Sequence, residues 1–366
     1  MRLVVDARGF GWTGIGRYTR RLLEHLAPLD RESEYIVLLG HEDATHWTSP
    51  GPNFSPRISD ARPYRWEGQV LLPRQLRDLR PDLVHFPHFN VPVAYRDRFV
   101  VTIHDTTMLR FPIHCDVSPW REPIRRAKRT VAGLAMSDAV RRAHRVITPS
   151  QFTADDVGGR FEADPARTVV IRSAVDPPVT DPEPVPGISE ELLFLLYVGN
   201  AYPHKNLGTL IAATRDLLGD HPELCLVIAG PPDECSQRLR STVHGDPVGK
   251  HVKFVGRVSD RQLSWLYLHA TIFVLPSFSE GFGLTGLEAM AHGTPVVAAR
   301  ATCLPEIYGE AAQYFEPLDR SDLVASLEGL LGDEARRATL SKAGTEQSAL
   351  YSWDAMARAT LETYRI

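Results

Sequence analysis

The strongest constraint on the fold of this chain is the alternation of short apolar runs with longer segments of helical periodicity. Buried parallel strands read as short, nearly continuous apolar runs. A first series of such runs lies at residues 3–7, 35–39, 82–86, 99–103, 145–148 and 168–171. A second series lies at residues 193–198, 224–229, 252–255, 271–275, 295–298 and 313–315. Strands that alternate with helices predict parallel sheets covered by helices on both faces, the α/β class.

A proline-rich segment separates the two series. Residues 176–187 carry five prolines in twelve positions, which no helix or central strand tolerates. The sequence therefore predicts domains at 1–175 and 191–350, joined by a linker at 176–190. A chain of 366 residues is long enough for two such cores. We expect two doubly wound, Rossmann-like domains facing a cleft, with ligands at the carboxyl ends of the strands.

Residues 276–297 combine a glycine-rich loop with a helix between two strands. The segment reads PSFSEGFGLTGLEAMAHGTPVV. Gly281, Gly283 and Gly286 would let an anion approach the backbone, and the first helical turn would point its N–H groups at that anion. The segment therefore predicts a phosphate-binding loop.

Two carboxylates, Glu280 and Glu288, bracket this loop. A carboxylate repels phosphate, so each is expected to accept hydrogen bonds from neutral hydroxyls. Taken singly, each also fits an ordinary solvated residue favoured by the helix dipole. Their spacing and flanks resemble the Glu-x7-Glu signature of the retaining GT-B glycosyltransferases of family 4. The resemblance implies that Glu280 contacts the donor sugar, Glu288 contacts the ribose, and main-chain amides contact the diphosphate. Those amides belong to Gly281, Phe282, Gly283 and Leu284.

Two further segments of the second half resemble the same family. A loop that reads Val-Gly-Asn-Ala-Tyr-Pro-His-Lys-Asn resembles the family's phosphate-binding segment, which implies that Lys205 neutralises the leaving diphosphate. Asn200 departs from members that have Arg there, so one donor-binding cation rather than two is expected. The run Phe-Val-Gly-Arg-Val-Ser-Asp resembles the segment that holds the nucleotide base around Val258. Asp260 then either meets the donor edge of guanine or caps the next helix.

The first loop allows two interpretations. Residues 9–14 spell Gly-x-Gly-x-x-Gly, which alone indicates dinucleotide binding with Glu42 as the ribose acceptor. The next helix is expected to begin after Gly16, too late for that motif to place a pyrophosphate at its N-terminus. A loop ending in Gly-Ile-Gly-Arg-Tyr also resembles family 4 members, which implies that Gly14 and Gly16 approach the donor.

Histidines follow two neighbouring strands of the first series. His104 begins a His-Asp-Thr run that resembles the family segment whose His contacts the donor hexose near its reacting carbon. A hydrogen-bonded structural role is the alternative for His104. His85 and His88 suggest a metal, but two histidines without a carboxylate at ligand spacing make a weak site. The resemblance implies chemistry without a bound metal or other cofactor.

Composition limits the other classes of function. The net charge of −4 argues against a general nucleic-acid binder. Four scattered cysteines without a Cys-x-x-Cys pair favour reduced thiols in a cytoplasm over disulfides. No apolar stretch reaches the roughly 18 residues that a membrane span needs, so a soluble protein is expected. Basic residues at 120–145 indicate either a solvated helical face or attraction to anionic lipid, at the inner face of a membrane, or to a pyrophosphate-linked acceptor. Leucines that alternate with arginines at 70–80 indicate a second candidate surface for peripheral contact with a membrane.

The resemblance covers nearly the whole chain and implies that a final helix, at 351–366, returns to the first domain. It also implies a retaining hexosyltransferase whose catalytic residues are His104, Lys205 and Glu280. The first hypothesis is transfer of mannose from GDP-mannose to a glycan, lipid-linked or small-molecule hydroxyl. The alternatives are a UDP- or ADP-sugar-dependent transferase, a related sugar phosphorylase, a GT-B epimerase, a non-enzymatic sugar-nucleotide sensor and an NAD-dependent oxidoreductase.

Overall fold

The computed structural model describes residues 1–111, 115 and 118–366, and the chain divides into two compact units. The N-terminal unit comprises Met1–Leu109, Pro123–Ser173 and Ser352–Ile366. The C-terminal unit comprises Arg110–Glu122 and Ala174–Tyr351. Each unit is built on a parallel sheet with connecting helices. The predicted α/β class with two doubly wound sheets is therefore confirmed.

Parallel strands form the sheet of the N-terminal unit. These strands are β1 (Arg2–Asp6), β2 (Glu34–Leu39), β3 (Phe54–Ile58), β4 (Leu83–Phe86), β5 (Phe99–Thr102), β6 (Arg145–Thr148) and β7 (Thr168–Val170). Their order across the sheet is β3-β2-β1-β4-β5-β6-β7. The chain thus reverses its direction of growth between β1 and β4. The loops that follow these two strands lie at a topological switch point, where doubly wound sheets bind ligands.

The sheet of the C-terminal unit is built in the same way. Its strands are β8 (Phe194–Val198), β9 (Cys225–Ala229), β10 (Val252–Gly256), β11 (Ile272–Leu275), β12 (Val296–Ala299) and β13 (Ala312–Phe315). Their order is β10-β9-β8-β11-β12-β13, and neighbouring strands are parallel. The switch point of this unit therefore lies between β8 and β11.

Helices connect the strands in both units. They are α1 (Gly14–Leu26), α2 (His41–Thr45), α3 (Trp66–Leu79), α4 (Thr107–Arg110), α5 (Glu122–Arg142), α6 (Gln151–Phe161), α7 (Leu207–Leu217), α8 (Glu234–Val243), α9 (Asp260–His269), α10 (Leu284–Ala291), α11 (Leu304–Tyr308), α12 (Arg320–Leu331), α13 (Glu334–Ser348) and α14 (Trp353–Arg365). Several of these helices pack through apolar residues at helical spacing; α1, for example, buries Tyr18, Leu22 and Leu26. Of the helices in the described ranges, none is both long and apolar enough to cross a bilayer.

Strand β3 is the element that the sequence did not predict. Pro52 and Pro56 argue against a strand in this stretch, because proline cannot donate to a sheet ladder. The structure places β3 at the edge of the sheet, paired only with β2 among the described strands. There a missing N–H is tolerated, and the ring of Phe54 stacks on Tyr35 with 4.3 Å between centroids.

Helix α14 completes the core of the N-terminal unit. It packs against α1, and Tyr364 lies fully within the core. The Tyr364 hydroxyl lies 2.6 Å from His85 Nδ1, and Thr102 Oγ1 lies 2.8 Å from His85 Nε2. Burial lowers the pKa of His85 to about 3, so its imidazole is neutral. His85 therefore belongs to a buried hydrogen-bonded chain that joins β4, β5 and α14.

The oxidation state of two of the four cysteines differs from the prediction. Cys115 and Cys235 form a disulfide, with 5.2 Å between their Cα atoms, whereas Cys225 and Cys303 are free and buried. The prediction of reduced thiols is therefore wrong for the bonded pair. Cys115 and Cys235 are 120 positions apart in the sequence, so their spacing gave no sign of pairing. The bond joins Cys115 to α8 within the C-terminal unit.

Candidate functional site

Lys205 and Glu280 meet at the switch point of the C-terminal unit. Lys205 follows β8 and Glu280 follows β11, and these strands are neighbours in the sheet. Lys205 Nζ lies 2.6 Å from Glu280 Oε1, and the two side chains are only 16% and 14% exposed. The sequence predicted both residues but not their contact, which depends on the strand order. A cation and a carboxylate, both largely withdrawn from water, thus lie where such sheets bind ligands.

The loop between β11 and α10 is packed against Tyr308 of α11. The Tyr308 hydroxyl donates to the Gly283 carbonyl at 2.5 Å. Gly283 has a φ of +82°, and a Cβ at Gly283 or Gly286 would lie 2.4 Å or 2.2 Å from Tyr308 Oη. Both positions therefore require glycine. The Gly286 and Leu287 amides donate to the Gly283 carbonyl at 3.2 and 3.4 Å. The Leu284 and Thr285 amides, at the very start of α10, have no carbonyl one turn earlier to bond and so point towards a prospective anion.

The charge of Glu280 acts on buried groups around this loop. Burial, and then the Glu280 charge, raise the pKa of Tyr197 and of Tyr308 well above their usual range. The same two causes raise the pKa of the Cys303 thiol, whose Sγ donates to the Glu280 carbonyl at 3.3 Å. These groups are therefore neutral near pH 7. The positive charge within hydrogen-bonding distance of Glu280 is that of Lys205.

The loop that carries Asn200 and Lys205 is fixed through its main chain. The Tyr197 hydroxyl donates to the Asn200 carbonyl at 2.7 Å. The Phe278 amide donates to the His204 carbonyl at 2.8 Å and so ties this loop to the one between β11 and α10. The two loops predicted to bind the donor are therefore joined directly, which holds Lys205 near Glu280.

Glu288 is buried rather than solvated. It is 5% exposed, and its Oε2 accepts a hydrogen bond from the Tyr267 hydroxyl at 2.8 Å. The alternative of an ordinary surface residue is therefore wrong for Glu288. Its role as a ribose contact stays a prediction. Phe282, also buried, packs its ring edge-on against Tyr351 and anchors the loop that Glu288 follows.

The residues predicted to hold the nucleotide base lie between β10 and α9. Ser259 is the N-cap of α9, and with Gln262 it forms a capping box. The capping role considered for Asp260 is therefore wrong, and Asp260 is exposed in the first helical turn. A cavity of about 530 Å³ beside β10 is lined by Val258, but neither Asp260 nor the Lys205–Glu280 pair is part of that lining.

His104, in the N-terminal unit, follows β5. Its Nε2 donates to the Pro87 carbonyl at 2.9 Å, which leaves Nδ1 as the acceptor of the neutral ring. Burial lowers the pKa of His104 and so favours this neutral form, and the ring packs edge-on against Tyr18. A neutral Nδ1 can accept a hydrogen bond from a sugar hydroxyl. The contact with the donor hexose stays a prediction.

Helix α1 begins earlier than expected. It begins at Gly14, with Thr13 as the N-cap, and not after Gly16. The prediction that this helix starts too late for residues 9–14 to place a pyrophosphate at its N-terminus is therefore wrong. A Cβ at Gly16 would lie 2.4 Å from the Phe10 carbonyl oxygen, so packing of the preceding loop requires this glycine. A Cβ at Gly14 would meet no atom within 4 Å, so Gly14 offers an open backbone position. Donor contact by either glycine stays a prediction.

Sequence reasoning missed an aromatic cluster at the switch point of the N-terminal unit. The cluster consists of Trp12 after β1, Tyr64 after β3, and His88 and Phe89 after β4. Trp12 and Tyr64 stack with 5.7 Å between ring centroids, and the Tyr64 hydroxyl lies 3.0 Å from His88 Nε2. Aromatic residues after strands were visible in the sequence. Only the strand order brings these loops together.

The metal interpretation of the histidines gains no support from their surroundings. His85 has both ring nitrogens within hydrogen-bonding distance of hydroxyls, and His88 contacts the Tyr64 hydroxyl. Within the ranges that the structure describes, no group of three or more His, Cys, Asp or Glu side chains is arranged to hold a metal ion.

Two family models match the chain and together span most of it. The model described as Glycosyltransferase Family 4 matches residues 12–178, and the model described as Glycosyl transferases group 1 matches residues 181–347. These matches cover both units and include the loops that carry His104, Lys205 and Glu280.

Known proteins resemble the chain over most of its length. It is 28% identical to the O-antigen chain mannosyltransferase B of Escherichia coli, over 97% of this chain and 96% of that protein. It is 30% identical to a glycogen synthase of Mycobacterium tuberculosis, over 79% of this chain and 69% of that protein. Among solved structures, the sucrose-phosphate synthase of Thermosynechococcus elongatus superposes with a TM-score of 0.80 at 21% identity, over 100% of this chain and 98% of that one.

Proposed function

This chain belongs to glycosyltransferase family 4, within the group 1 glycosyl transferases of GT-B fold, and on that premise we propose that it moves a hexose with retention of configuration. The donor is a nucleotide-diphosphate sugar and the acceptor is a hydroxyl group. The observation that carries the proposal is the Lys205–Glu280 contact of 2.6 Å beside the N-terminus of α10. This arrangement combines a cation and the first two amides of α10 for a diphosphate with a carboxylate for sugar hydroxyls.

Without a donor, Lys205 and Glu280 neutralise each other. When the donor binds, Lys205 turns to the diphosphate, and the amides at the start of α10 contact the same group. Glu280 then accepts hydrogen bonds from hydroxyls of the hexose, because a carboxylate repels the phosphates. His104 is proposed to accept a hydrogen bond from the hexose through its neutral Nδ1. The remaining proposed contacts with the nucleotide are made by Asn200, Val258, Asp260 and Glu288.

The transfer step balances without a protein nucleophile. The acceptor oxygen forms a bond to the anomeric carbon of the hexose on the same face from which the diphosphate oxygen departs, so the bond from that carbon to the diphosphate breaks with retention of configuration. The leaving phosphate takes the proton of the acceptor hydroxyl, and a nucleoside diphosphate is released. Lys205 and the α10 amides lower the energy of this step because they stabilise the charge that develops on the phosphate. No bound metal or organic cofactor is proposed.

We propose GDP-mannose as the donor. The E. coli relative is a mannosyltransferase and matches nearly the full length of both chains. The exposed carboxylate of Asp260, released from a capping role, also suits the donor edge of guanine. A UDP- or ADP-glucose donor is the second candidate, since another relative is a glycogen synthase and glycogen is a glucose polymer.

Ligand-induced stabilisation tests the donor directly. GDP, UDP, ADP, dTDP, NAD and inorganic phosphate are each added at equal concentration, and the melting temperature is recorded. A ligand that binds only the folded state raises the melting temperature. A selective rise with GDP, followed by GDP release from GDP-mannose in the presence of a glycan acceptor, is expected. A selective rise with UDP or ADP would favour the second candidate, and a rise with NAD alone would overturn the proposed class.

We also propose a peripheral contact with anionic lipid through α5, consistent with a lipid-linked acceptor. Ile124, Ala127, Val131 and Leu134 lie on one face of this helix, at i, i+3, i+7 and i+10, and all are exposed. Lys128 borders this apolar stripe, and the sequence from 123 to 137 contains no acid. An exposed apolar stripe with adjacent cations suits the headgroup region of an anionic bilayer.

Residues 70–80, the other candidate surface for lipid, use two of their leucines for the protein core rather than for a membrane. Leu72 and Leu76 are fully buried in the core of the N-terminal unit. Val70 and Leu71 are exposed on the other side, so α3 has one core-facing side and one solvent-facing side, and only these two apolar residues of the stretch from 70 to 76 remain for a membrane.

Vesicle flotation tests the contact through α5. The protein is expected to float with vesicles that contain phosphatidylglycerol and not with vesicles of phosphatidylcholine alone. Val131→Glu together with Leu134→Glu should abolish flotation. Leu318→Glu, at a leucine that is 89% exposed in the C-terminal unit, is the matched control and should float normally. Equal flotation of both variants would contradict a role for α5.

A further inference from the structure

We propose that the aromatic cluster of Trp12, Tyr64, His88 and Phe89 is a stacking platform for a neutral pyranose ring, and hence that the acceptor presents a sugar there. The inference rests on the proposed function, since it names the class of acceptor for that reaction. Nothing in the family comparisons assigns these residues a role. The cluster lies wholly within the N-terminal unit.

Its place in the fold is the first support. Trp12 lies in the loop after β1, and His88 and Phe89 follow β4. These two strands flank the switch point of the seven-stranded order β3-β2-β1-β4-β5-β6-β7. Ligands of doubly wound sheets bind outside the carboxyl ends of the strands at that point.

The backbone of Tyr64 is the second support. Tyr64 has a φ of +59°, a left-handed conformation that is rare for a bulky residue and costs free energy. Despite this cost, 57% of the residue is exposed to solvent. A strained residue that presents an aromatic ring to water gains little for the core. Its conformation is explained if the ring is held outward for a ligand.

The rings of the cluster are held in fixed orientations. Trp12 stacks on Tyr64 with an angle of 15° between the ring planes, and a Cβ at Gly9 would lie 2.7 Å from the Trp12 ring. Trp12 therefore lies flat on the Gly9 backbone. His88 packs on Phe89, a core residue that is 7% exposed and supports the platform from beneath, with 4.2 Å between centroids. The Nε2 of His88 lies 3.0 Å from the Tyr64 hydroxyl. Such a surface binds at low cost in conformational entropy.

The chemistry of the platform selects a neutral sugar. The C–H groups on one face of a pyranose carry partial positive charge, and they stack on the electron-rich face of an aromatic ring. The sugar hydroxyls around that face can bond to the Tyr64 hydroxyl and to the His88 imidazole. His88 is neutral, because burial lowers its pKa to about 3. Arg62 and Arg65 flank Tyr64 in the sequence and are exposed, so the preference for a neutral ring rests on the four uncharged rings of the cluster themselves.

Saturation-transfer NMR with methyl α-D-mannopyranoside and methyl β-D-glucopyranoside tests the platform without any donor. Ring C–H protons of at least one glycoside should receive saturation from the wild-type protein. Tyr64→Gly suits the left-handed backbone and removes only the ring, so it should fold well and lose this transfer. Tyr64→Phe should retain it. Trp120→Ala, at a tryptophan that is 89% exposed in the C-terminal unit, is the matched control and should leave it unchanged.

A kinetic measurement then separates acceptor from donor. With an active donor and a glycan acceptor, Tyr64→Gly and Trp12→Ala should each raise KM for the acceptor about two- to tenfold, the loss expected for one stacking contact. KM for the nucleotide sugar should stay unchanged. Transfer of saturation from Tyr64→Gly to the glycoside at the wild-type level, or no transfer from the wild-type protein, would overturn the platform. Absence of turnover with every nucleotide sugar would instead contradict the proposed function, because glycoside binding is measured without a donor.

Discussion

Neutralising the Lys205–Glu280 pair should separate stability from activity. At 2.6 Å, with an effective dielectric constant of about 20, the attraction between the two charges is about 6 kcal/mol. Desolvation of both groups offsets most of this attraction. Removal of one partner, by Lys205→Met or Glu280→Gln, leaves the other charge without compensation. Because each side chain keeps some exposure, 16% and 14%, we expect a loss of about 2–3 kcal/mol, at the low end for buried pairs.

The double variant carries the sharper expectation. Lys205→Met combined with Glu280→Gln leaves no unpaired charge, so most of the lost free energy of unfolding should return. Turnover should not return, because neither the phosphate-binding cation nor the sugar-binding carboxylate is present. We expect each single variant to lose at least about a hundredfold in turnover, and the double variant to be no better than either.

Calorimetric melting and nucleoside diphosphate release measure the two properties in parallel. A loss of about 2–3 kcal/mol corresponds to a fall of roughly 5–10 °C in the melting temperature of a unit of this size. Lys342→Met, at an exposed lysine of α13, is the matched control and should change neither property. A double variant as unstable as the single variants would refute the electrostatic coupling. Near-normal turnover in any of the three would refute the role of the pair in transfer.

Three further predictions concern the loop, the disulfide and pH. Gly286→Ala places a Cβ 2.2 Å from Tyr308 Oη, so the melting temperature and the affinity for nucleoside diphosphate should both fall. Gly208→Ala in α7 is the control: a Cβ there meets no atom within 4 Å, so both properties should be preserved. Reduction of the Cys115–Cys235 disulfide releases a loop of 120 residues, so dithiothreitol should lower the melting temperature by the equivalent of up to about 4–5 kcal/mol. If dithiothreitol has no effect on the wild type, or has an equal effect on the variant Cys115→Ser/Cys235→Ser, the disulfide is contradicted. The pKa of His85 is lowered to about 3 in the folded state, so its contribution to stability is fully present above pH 6.5 and is lost as the pH falls towards 3, by up to about 5 kcal/mol. The free energy of unfolding of His85→Gln should therefore fall less steeply with pH over that range. An unchanged pH profile would contradict this linkage.

Much of the fold and part of the site could be predicted from the sequence, because both depend on local patterns. The glycine loop was recognisable since strand, glycines and helix are contiguous in the chain, and Tyr308 beneath it explains why glycine is needed. The contact of Lys205 with Glu280 was not predictable from spacing, because 75 positions separate them and the strand order decides their proximity.

The failures have the same physical origin. Strand β3 contains a proline that only an edge position tolerates, and edge positions are a property of the finished sheet. The disulfide and the aromatic cluster join residues from distant loops. Asp260 was considered as a helix cap, but Ser259 one position earlier forms the capping box with Gln262. Competition between adjacent capping residues is decided by backbone geometry that composition does not reveal.

The placement of α14 has a consequence for biosynthesis. The N-terminal unit lacks the partner of His85 until Tyr364 has left the ribosome, because Ala174–Tyr351, the larger part of the C-terminal unit, is translated between Ser173 and Ser352. Until then α1 has an uncovered apolar side, and a buried imidazole lacks a hydrogen bond. The first unit to be synthesised is thus the last to be completed. Nascent chains arrested before residue 352 should therefore hold the N-terminal unit in a protease-sensitive form that chaperones recognise.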